Sequence, residues 1–196
     1  MKRIISVLAA VALLASCGPK ANYTVVGRPL AGSRAEGAHL EEYLTDTPIR
    51  AKCIAKDGVF NIRGYVEEPR FVRVVQDDMF NDWSFILEPG IIYLNVGDHA
   101  ATGTPLNDAL AEFFDASRTI YYSREEGVDP DEQNRELIID FVARHNNDIA
   151  GAYVLCANYP ILSQDDMKTM LRQAGPVFLE SEFVPYLKEK VRGLND

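Results

Sequence analysis

The chain has 196 residues, of which 47% are hydrophobic and 25% are charged, and its formal net charge is −9 at pH 7. This composition is that of a folded protein, and it excludes a disordered tether. The net negative charge argues against nucleic acid as a partner, because nucleic-acid binding depends on cationic contacts to phosphate. The same charge would be repelled by an anionic membrane surface.

The N-terminus has the organisation of a bacterial export signal. Lys2 and Arg3 form a short positive segment, and the apolar run at 4–15 is shorter than the roughly 20 residues needed to cross a bilayer. Residues 14–17 read LASC, which resembles a lipobox, where a lipoprotein precursor is cleaved and its cysteine is acylated. The alternative is an ordinary cleaved signal in which Cys17 has no role.

We therefore predict a signal peptide at 1–16, lipid attachment at Cys17 and a short lipidated tether at 17–22. Several acyl chains on one cysteine give stable anchoring, whereas a single chain gives only marginal membrane binding. Gly18 is not an acidic retention signal, which favours the outer membrane, facing the periplasm, within the cell envelope. The lipid would supply the affinity for the membrane.

Residues 23–100 have the pattern of a β-rich domain. Short runs of alternating apolar and polar residues are separated by turn residues such as Asp57-Gly58 and Pro89-Gly90. Several strands at this spacing predict an antiparallel β-sandwich or a partly open barrel. The predicted strands are 23–27, 37–44, the two arms of a hairpin around Asp57-Gly58, 70–76, 83–87 and 91–96.

Residues 101–196 change to helical periodicity and predict a C-terminal helical bundle, so that the whole chain is α+β. Pro105, placed after Thr104, suits the first position of a helix. Asp129 starts a second helix, with Glu132 placed to complete a capping box. Further helices are predicted over 150–158, from Ser163 to about Gly175, and from about Ser181.

Cys53 and Cys156 leave two structural alternatives open. In an oxidising compartment they could form a disulfide, which requires Cα atoms within about 7 Å of each other. The favoured interpretation is two buried thiols that act as small hydrophobic side chains. No C-x-x-C motif is present, so the sequence contains no dithiol redox motif.

The sequence contains no recognisable catalytic motif. It has no G-x-S-x-G, no phosphate-binding loop and no dinucleotide fingerprint. His39, His99 and His145 lie far apart, and none has a second ligand at the spacing of a metal site. We therefore predict no catalytic residue, no metal and no cofactor, and we favour a protein that is not an enzyme.

An acidic stretch between two predicted strands is the one alternative metal site. Asp77, Asp78, Asn81 and Asp82 fall in one predicted loop and could offer oxygen ligands to calcium. Their spacing does not fit an EF-hand loop. An acidic hairpin tip is the favoured interpretation.

Three stretches together resemble a known bacterial domain. They are KDGVFNIRGYVEEP at 56–69, FILEPGIIYLNV at 85–96 and TGTPLND at 102–108. In this order they resemble a domain of unknown function at the N-terminus of exported thiol–disulfide oxidoreductases, ahead of a thioredoxin-like domain of the peroxiredoxin and TlpA type. The resemblance implies a related fold, a lipid anchor and an envelope location. The chain ends at Asp196, where the thioredoxin domain would be expected to begin.

The W-C-x-x-C motif of those oxidoreductases has no counterpart here, so the resemblance implies no catalytic residue. The first functional hypothesis is therefore a non-catalytic, lipid-anchored module that binds a protein, a peptide or a glycan. Such a module needs exposed aromatic side chains. The candidates are Phe80, Trp83, Tyr121 and Tyr122.

The alternative hypothesis is a redox-associated accessory protein that acts with an exported thioredoxin-like partner through Cys53 or Cys156. A reactive thiol needs an accessible, electropositive setting. Arg50, Lys52 and Lys56 are close to Cys53 in sequence, whereas Cys156 lies in an apolar run. Cys53 is therefore the favoured candidate for this role.

Overall fold

The computed structural model describes most of the chain that follows the predicted signal peptide. The described residues are 19–29, 35–76, 79–95, 100–123, 127, 129–191 and 194. The predicted signal peptide, the predicted acylation site Cys17, Asp77 and Asp78 of the predicted acidic loop, and His99 lie outside them.

Nine strands within the described residues form two sheets. In chain order they are β1 (Tyr23–Gly27), β2 (His39–Glu42), β3 (Pro48–Ile49), β4 (Lys52–Lys56), β5 (Val59–Gly64), β6 (Arg70–Gln76), β7 (Met79–Leu87), β8 (Gly90–Leu94) and β9 (Ala101–Thr102). The first sheet has the order β4-β5-β1-β8-β9, and the second sheet has the order β3-β2-β6-β7. The sheets are not closed into a barrel.

One strand pair departs from the predicted antiparallel arrangement. β1 pairs antiparallel with β5 but parallel with β8, with Val25 opposite Ile92. Parallel neighbours require a crossover connection, and here the chain leaves the first sheet after β5 and returns at β8, having formed β6 and β7 of the second sheet. Turn chemistry and alternation report only local pairing, so this crossover carries no sequence signal.

The predicted hairpin between β4 and β5 is confirmed. Asp57 and Gly58 both have positive φ, +53° and +71°, which is the conformation of a type I′ turn. Beyond the turn Phe60 and Ile62 point inward and are buried, as period-two alternation predicts. The predicted acidic loop is wrong at Asn81 and Asp82, which belong to strand β7.

The two sheets share one apolar core. Val25 and Phe60 of the first sheet lie in the same buried cluster as Val72 and Phe85 of the second sheet. Trp83 is also in this cluster and is only 2% exposed, so the expectation that it is an exposed ligand-binding side chain is wrong. β7 turns Trp83 toward the other sheet because residues two apart on a strand, here Trp83 and Phe85, share one face.

Six helices of the described chain follow the strands, which gives the mixed α+β fold that the sequence predicts. None of them combines the length and the apolar character that crossing a membrane would need. They are α1 (Pro105–Ser123), α2 (Pro130–Arg144), α3 (Ile149–Ala157), α4 (Gln164–Gln173), α5 (Pro176–Leu179) and α6 (Phe183–Lys190).

The predicted starts of α2 and α4 have side-chain caps, at Asp129 and at Ser163. At α2 the Asp129 carboxylate accepts from the backbone N–H of Asp131, so the expected capping box with Glu132 does not form. The capping box occurs instead at α4, where the Ser163 hydroxyl and the Asp166 carboxylate accept from each other's backbone N–H groups.

The helices pack against the face of the second sheet that points away from the first. Phe71 of β6 and Ile86 of β7 lie in one buried cluster with residues of all six helices. The Phe71 ring stacks on Tyr153 of α3 with centroids 4.0 Å apart, and it meets Phe183 of α6 edge-on at 5.4 Å. The second sheet is therefore covered on both faces, by the first sheet and by the helices.

A buried polar joint fixes the start of α1 to β7. The Asn107 side chain donates to the carbonyl of Ile86 at 2.7 Å and accepts from the N–H of Ile86 at 3.0 Å, as a neighbouring strand would. The buried Glu88 carboxylate accepts from the Leu106 N–H at 2.9 Å, which satisfies one of the unpaired donors at the helix N-terminus. This joint sets the direction of α1.

Candidate functional site

An open groove lies beside α1, and we call it the α1 groove. Its volume is about 900 Å³. α1 contributes residues spaced three or four apart, including Phe114, Arg118 and Tyr121, which lie on one face of the helix. Tyr153 of α3 and Tyr43, which follows β2, complete the aromatic lining.

The aromatic rings of the α1 groove are held at fixed angles to one another. Tyr153 meets Tyr43 and Phe114 edge-on, with centroids 6.3 Å apart in each pair. Burial raises the pKa of Tyr153 to about 12. Phe114 is 39% exposed although its place in the apolar stripe of α1 predicts a core residue.

Tyr121 is positioned at the end of the α1 groove by the next helix. Its hydroxyl donates to the Asp131 carboxylate at 3.0 Å and accepts from the Asn134 amide at 3.4 Å. Burial, followed by the hydrogen bond to Asp131, raises the pKa of Tyr121. The ring nevertheless remains 40% exposed, and the side chain of Tyr122 is 80% exposed, as the sequence predicts for both. The side chain of Phe80, the remaining aromatic candidate, is outside the described part of the structure.

The charged side chains that line the α1 groove are of both signs. Glu112, Asp115 and Arg118 all come from α1, and the Arg118 guanidinium lies 3.7 Å from the Asp115 carboxylate. Both side chains of this pair are well exposed, so each can turn to a ligand at little cost. The hydroxyls of Ser84 and Thr102 add uncharged hydrogen-bonding groups on the strand side.

No group of three or more histidine, cysteine, aspartate or glutamate side chains that could hold a metal occurs within the described ranges. His39 lies 3.3 Å from Glu41, its neighbour on β2. His145 lies 2.7 Å from Asp148 and stacks on Phe141 with ring centroids 4.3 Å apart. Each of these histidines interacts within its own local structure.

Cys53 and Cys156, the two candidates for a disulfide or a redox role, are both free thiols, and they lie in different parts of the fold. Cys53 is half-buried on the core side of β4, and its thiol donates to the Ala35 carbonyl at 3.6 Å. Cys156 belongs to the buried cluster of the helices, and burial raises the pKa of its thiol to about 11. Lys52 and Lys56 point to the opposite face of β4 from Cys53, so they do not provide the electropositive setting that sequence proximity suggested.

Comparisons of the chain with protein-family models, with curated proteins and with solved structures found no match.

Proposed function

We propose that the chain is a non-catalytic, lipid-anchored module of the cell envelope that binds a neutral glycan in the α1 groove. The observation that carries this proposal is the joint lining of one groove by Tyr43, Phe114, Tyr121 and Tyr153 together with hydroxyl groups. Aromatic faces provide large apolar contact area at low entropic cost, and hydroxyls orient a ligand without requiring it to be charged. In this proposal the two sheets form a sandwich and the helices a bundle that supports the groove.

The charges of the groove favour a glycan over an ionic ligand. Glu112 and Asp115 would repel an anion, whereas Arg118 beside them would repel a cation. Carboxylates accept hydrogen bonds from hydroxyl groups, and a guanidinium donates to ring or hydroxyl oxygens. A neutral sugar chain presents donors, acceptors and an apolar ring face, so all three kinds of lining residue would contact it.

A titration of the full chain in detergent micelles tests the ligand class. The probes are a tetramer of N-acetylglucosamine and, for comparison, an uncharged tetrapeptide, with the heat of binding measured by calorimetry. We expect saturable binding of the tetrasaccharide with a Kd between about 1 μM and 1 mM, corresponding to roughly 4 to 8 kcal/mol of binding free energy. Binding of the peptide alone would replace the glycan by a peptide ligand, and binding of neither probe would contradict the proposal.

The envelope location is proposed on the N-terminal sequence that predicts acylation of Cys17. Intact mass spectrometry of the chain extracted from the envelope of a bacterial host tests it. We expect a mass that begins at Cys17 and carries acyl chains. A product without added lipid, or one that begins elsewhere, would contradict the anchor while leaving the groove proposal standing.

A further inference from the structure

No element of the described residues covers the outer face of the first sheet, which we call the open face, and its strand positions carry charge of one sign. Its cations are Lys52 and Lys56 of β4 and Arg63 of β5, and all three are exposed. The outward positions of β1, β4, β5 and β8 contain no aspartate or glutamate. Within the described residues none of the three cations makes an ion pair. A protein of net charge −9 thus concentrates positive charge on one sheet face.

Large apolar side chains lie among these cations. Ile54 is 44% exposed, Ile91 is 50% exposed and Tyr93 is 47% exposed. The register places Lys52 opposite Arg63 and Arg63 opposite Thr24, with Ile91 next along the same row. Cationic and apolar positions therefore form one continuous surface across four strands.

We infer that the open face lies on the anionic headgroup layer of a phospholipid membrane. The cations complement lipid phosphates, and their aliphatic stems, like Ile54 and Ile91, can enter the headgroup region. A tyrosine such as Tyr93 suits an interface that is apolar on one side and wet on the other. The remainder of the chain is acidic overall, so its net charge does not complement lipid phosphates.

The position of the proposed anchor supports this orientation, and to that extent the inference rests on the proposed function. β1, the central strand of the first sheet, begins at Tyr23, six residues after Cys17. Six extended residues span at most about 20 Å, so an acylated Cys17 would hold the first sheet next to the membrane.

The net negative charge of the whole chain does not oppose this contact. Two packed sheets lie about 10 Å apart, and the helices form a further layer beyond the second sheet. At physiological salt the Debye length is about 8 Å, so acidic groups on the helical side are screened from a surface that touches the open face. The local charge of the open face therefore decides the interaction.

Fluorescence quenching by brominated phospholipids tests the orientation directly. The full chain is reconstituted into vesicles of brominated phosphatidylcholine, with or without phosphatidylglycerol, and carries either Y93W on the open face or Y122W on the helical layer. Trp83 is buried at 2% exposure and provides a constant background, measured on the unsubstituted chain. We expect strong quenching of the Y93W indole in vesicles with phosphatidylglycerol, and little quenching of the Y122W indole in either vesicle.

Charge variants show whether the cations cause the docking. K52Q/K56Q/R63Q should reduce the ratio of docked to undocked protein by about 5-fold for each charge removed. The matched control R144Q/R172Q/K190Q removes three exposed cations from the helical layer and should leave the quenching unchanged. Raising the salt concentration should also reduce docking of the unsubstituted open face, because salt screens the attraction between the cations and the lipid phosphates.

Equal quenching of Y93W in the two vesicle types, equal quenching of Y93W and Y122W, or an unchanged signal in K52Q/K56Q/R63Q would each overturn the inference. The state of Cys17 is read separately from the intact mass, so a missing anchor is distinguished from a failure of the open face to dock.

Discussion

The two sheets of this protein differ in what covers them. β6 of the second sheet is buried at five of its seven positions, because the first sheet packs on one face and the helices pack on the other. β4 of the first sheet alternates strictly between exposed and half-buried positions, since only one of its faces meets the core. The comparison teaches that burial on both faces produces a nearly continuous apolar strand, whereas an uncovered face keeps its alternation and remains available for contacts.

The largest expected effect comes from removing a side chain between the second sheet and the helices. Phe71→Ala should reduce the free energy of unfolding by about 4 kcal/mol, because Phe71 is buried against Tyr153 and Phe183. Ile54→Ala on the open face should reduce it by less than about 1 kcal/mol. Urea unfolding of both variants measures the difference, and similar losses would contradict the distinction between the two sheets.

The joint between β7 and α1 should show the next largest effect. Asn107→Ala removes the partners of both backbone groups of Ile86, and we expect a loss of about 3 kcal/mol of unfolding free energy. Asn95→Ala is the control, because the Asn95 amide is exposed and, among the described residues, reaches Thr102 at 3.5 Å, and it should cost about 0.5 kcal/mol or less. A loss below about 1 kcal/mol in Asn107→Ala would mean that the joint does not fix α1 to the sheet.

A smaller, pH-dependent effect is expected within the helical layer. Hydrogen bonds from Arg135 lower the pKa of Asp166 from 3.8 to about 2. Because the folded-state pKa is depressed, the stabilisation is present above pH 4 and is lost as the pH falls toward 2. Asp166→Asn should therefore cost about 1 kcal/mol at pH 7, a value reduced for contact with water, and much less near pH 2.

The control for that pH dependence is Asp140→Asn, which removes an exposed pair with Arg144 on α2. Its cost should be close to zero at every pH. Chemical unfolding between pH 2 and pH 7 measures both variants. A cost of Asp166→Asn that does not vary with pH would contradict the proposed role of its charge.

The smallest expected effect concerns the two cysteine thiols, which should not be alkylated in the folded chain. Cys156 is buried with a raised pKa, and Cys53 faces the core, so we expect neither thiol to react in the folded chain within the time that unfolded chains react fully. Mass spectrometry of the alkylated protein counts the thiols that react. If Cys17 is acylated, two thiols should react after unfolding, because Cys17 has no free thiol. Fast alkylation of folded Cys53 would instead support the redox-associated alternative.

Local chemistry made part of this fold predictable. The Asp57-Gly58 turn and the capping residue Ser163 specify their own conformations, so the hairpin and the start of α4 were predicted from a few adjacent residues. The parallel pairing of β1 with β8 depends on a crossover through the other sheet, which no local pattern reports. The two-residue strands β3 and β9 are too short to show alternation.

The α1 groove was harder to predict than the fold for a physical reason. Tyr43 and Tyr153 are far apart in sequence, and only the packing of α3 against β6 brings their rings within 6.3 Å. The prediction of an electropositive setting for Cys53 was wrong for a similar reason. Lys52 is adjacent to Cys53 in sequence, but strand alternation places the two side chains on opposite faces of β4. Tyr121 was predictable as an exposed aromatic residue, but its fixed position depends on Asp131 of the next helix.

The most direct test of the central proposal, that the α1 groove is the ligand site, compares Phe114→Ala with Tyr186→Ala. Both aromatic side chains are 39% exposed, but only Phe114 lines the groove. We predict that Phe114→Ala weakens tetrasaccharide binding by 10-fold or more, about 1.4 kcal/mol, while Tyr186→Ala leaves the Kd unchanged. Equal Kd values for the two variants, with both chains folded, would contradict the account.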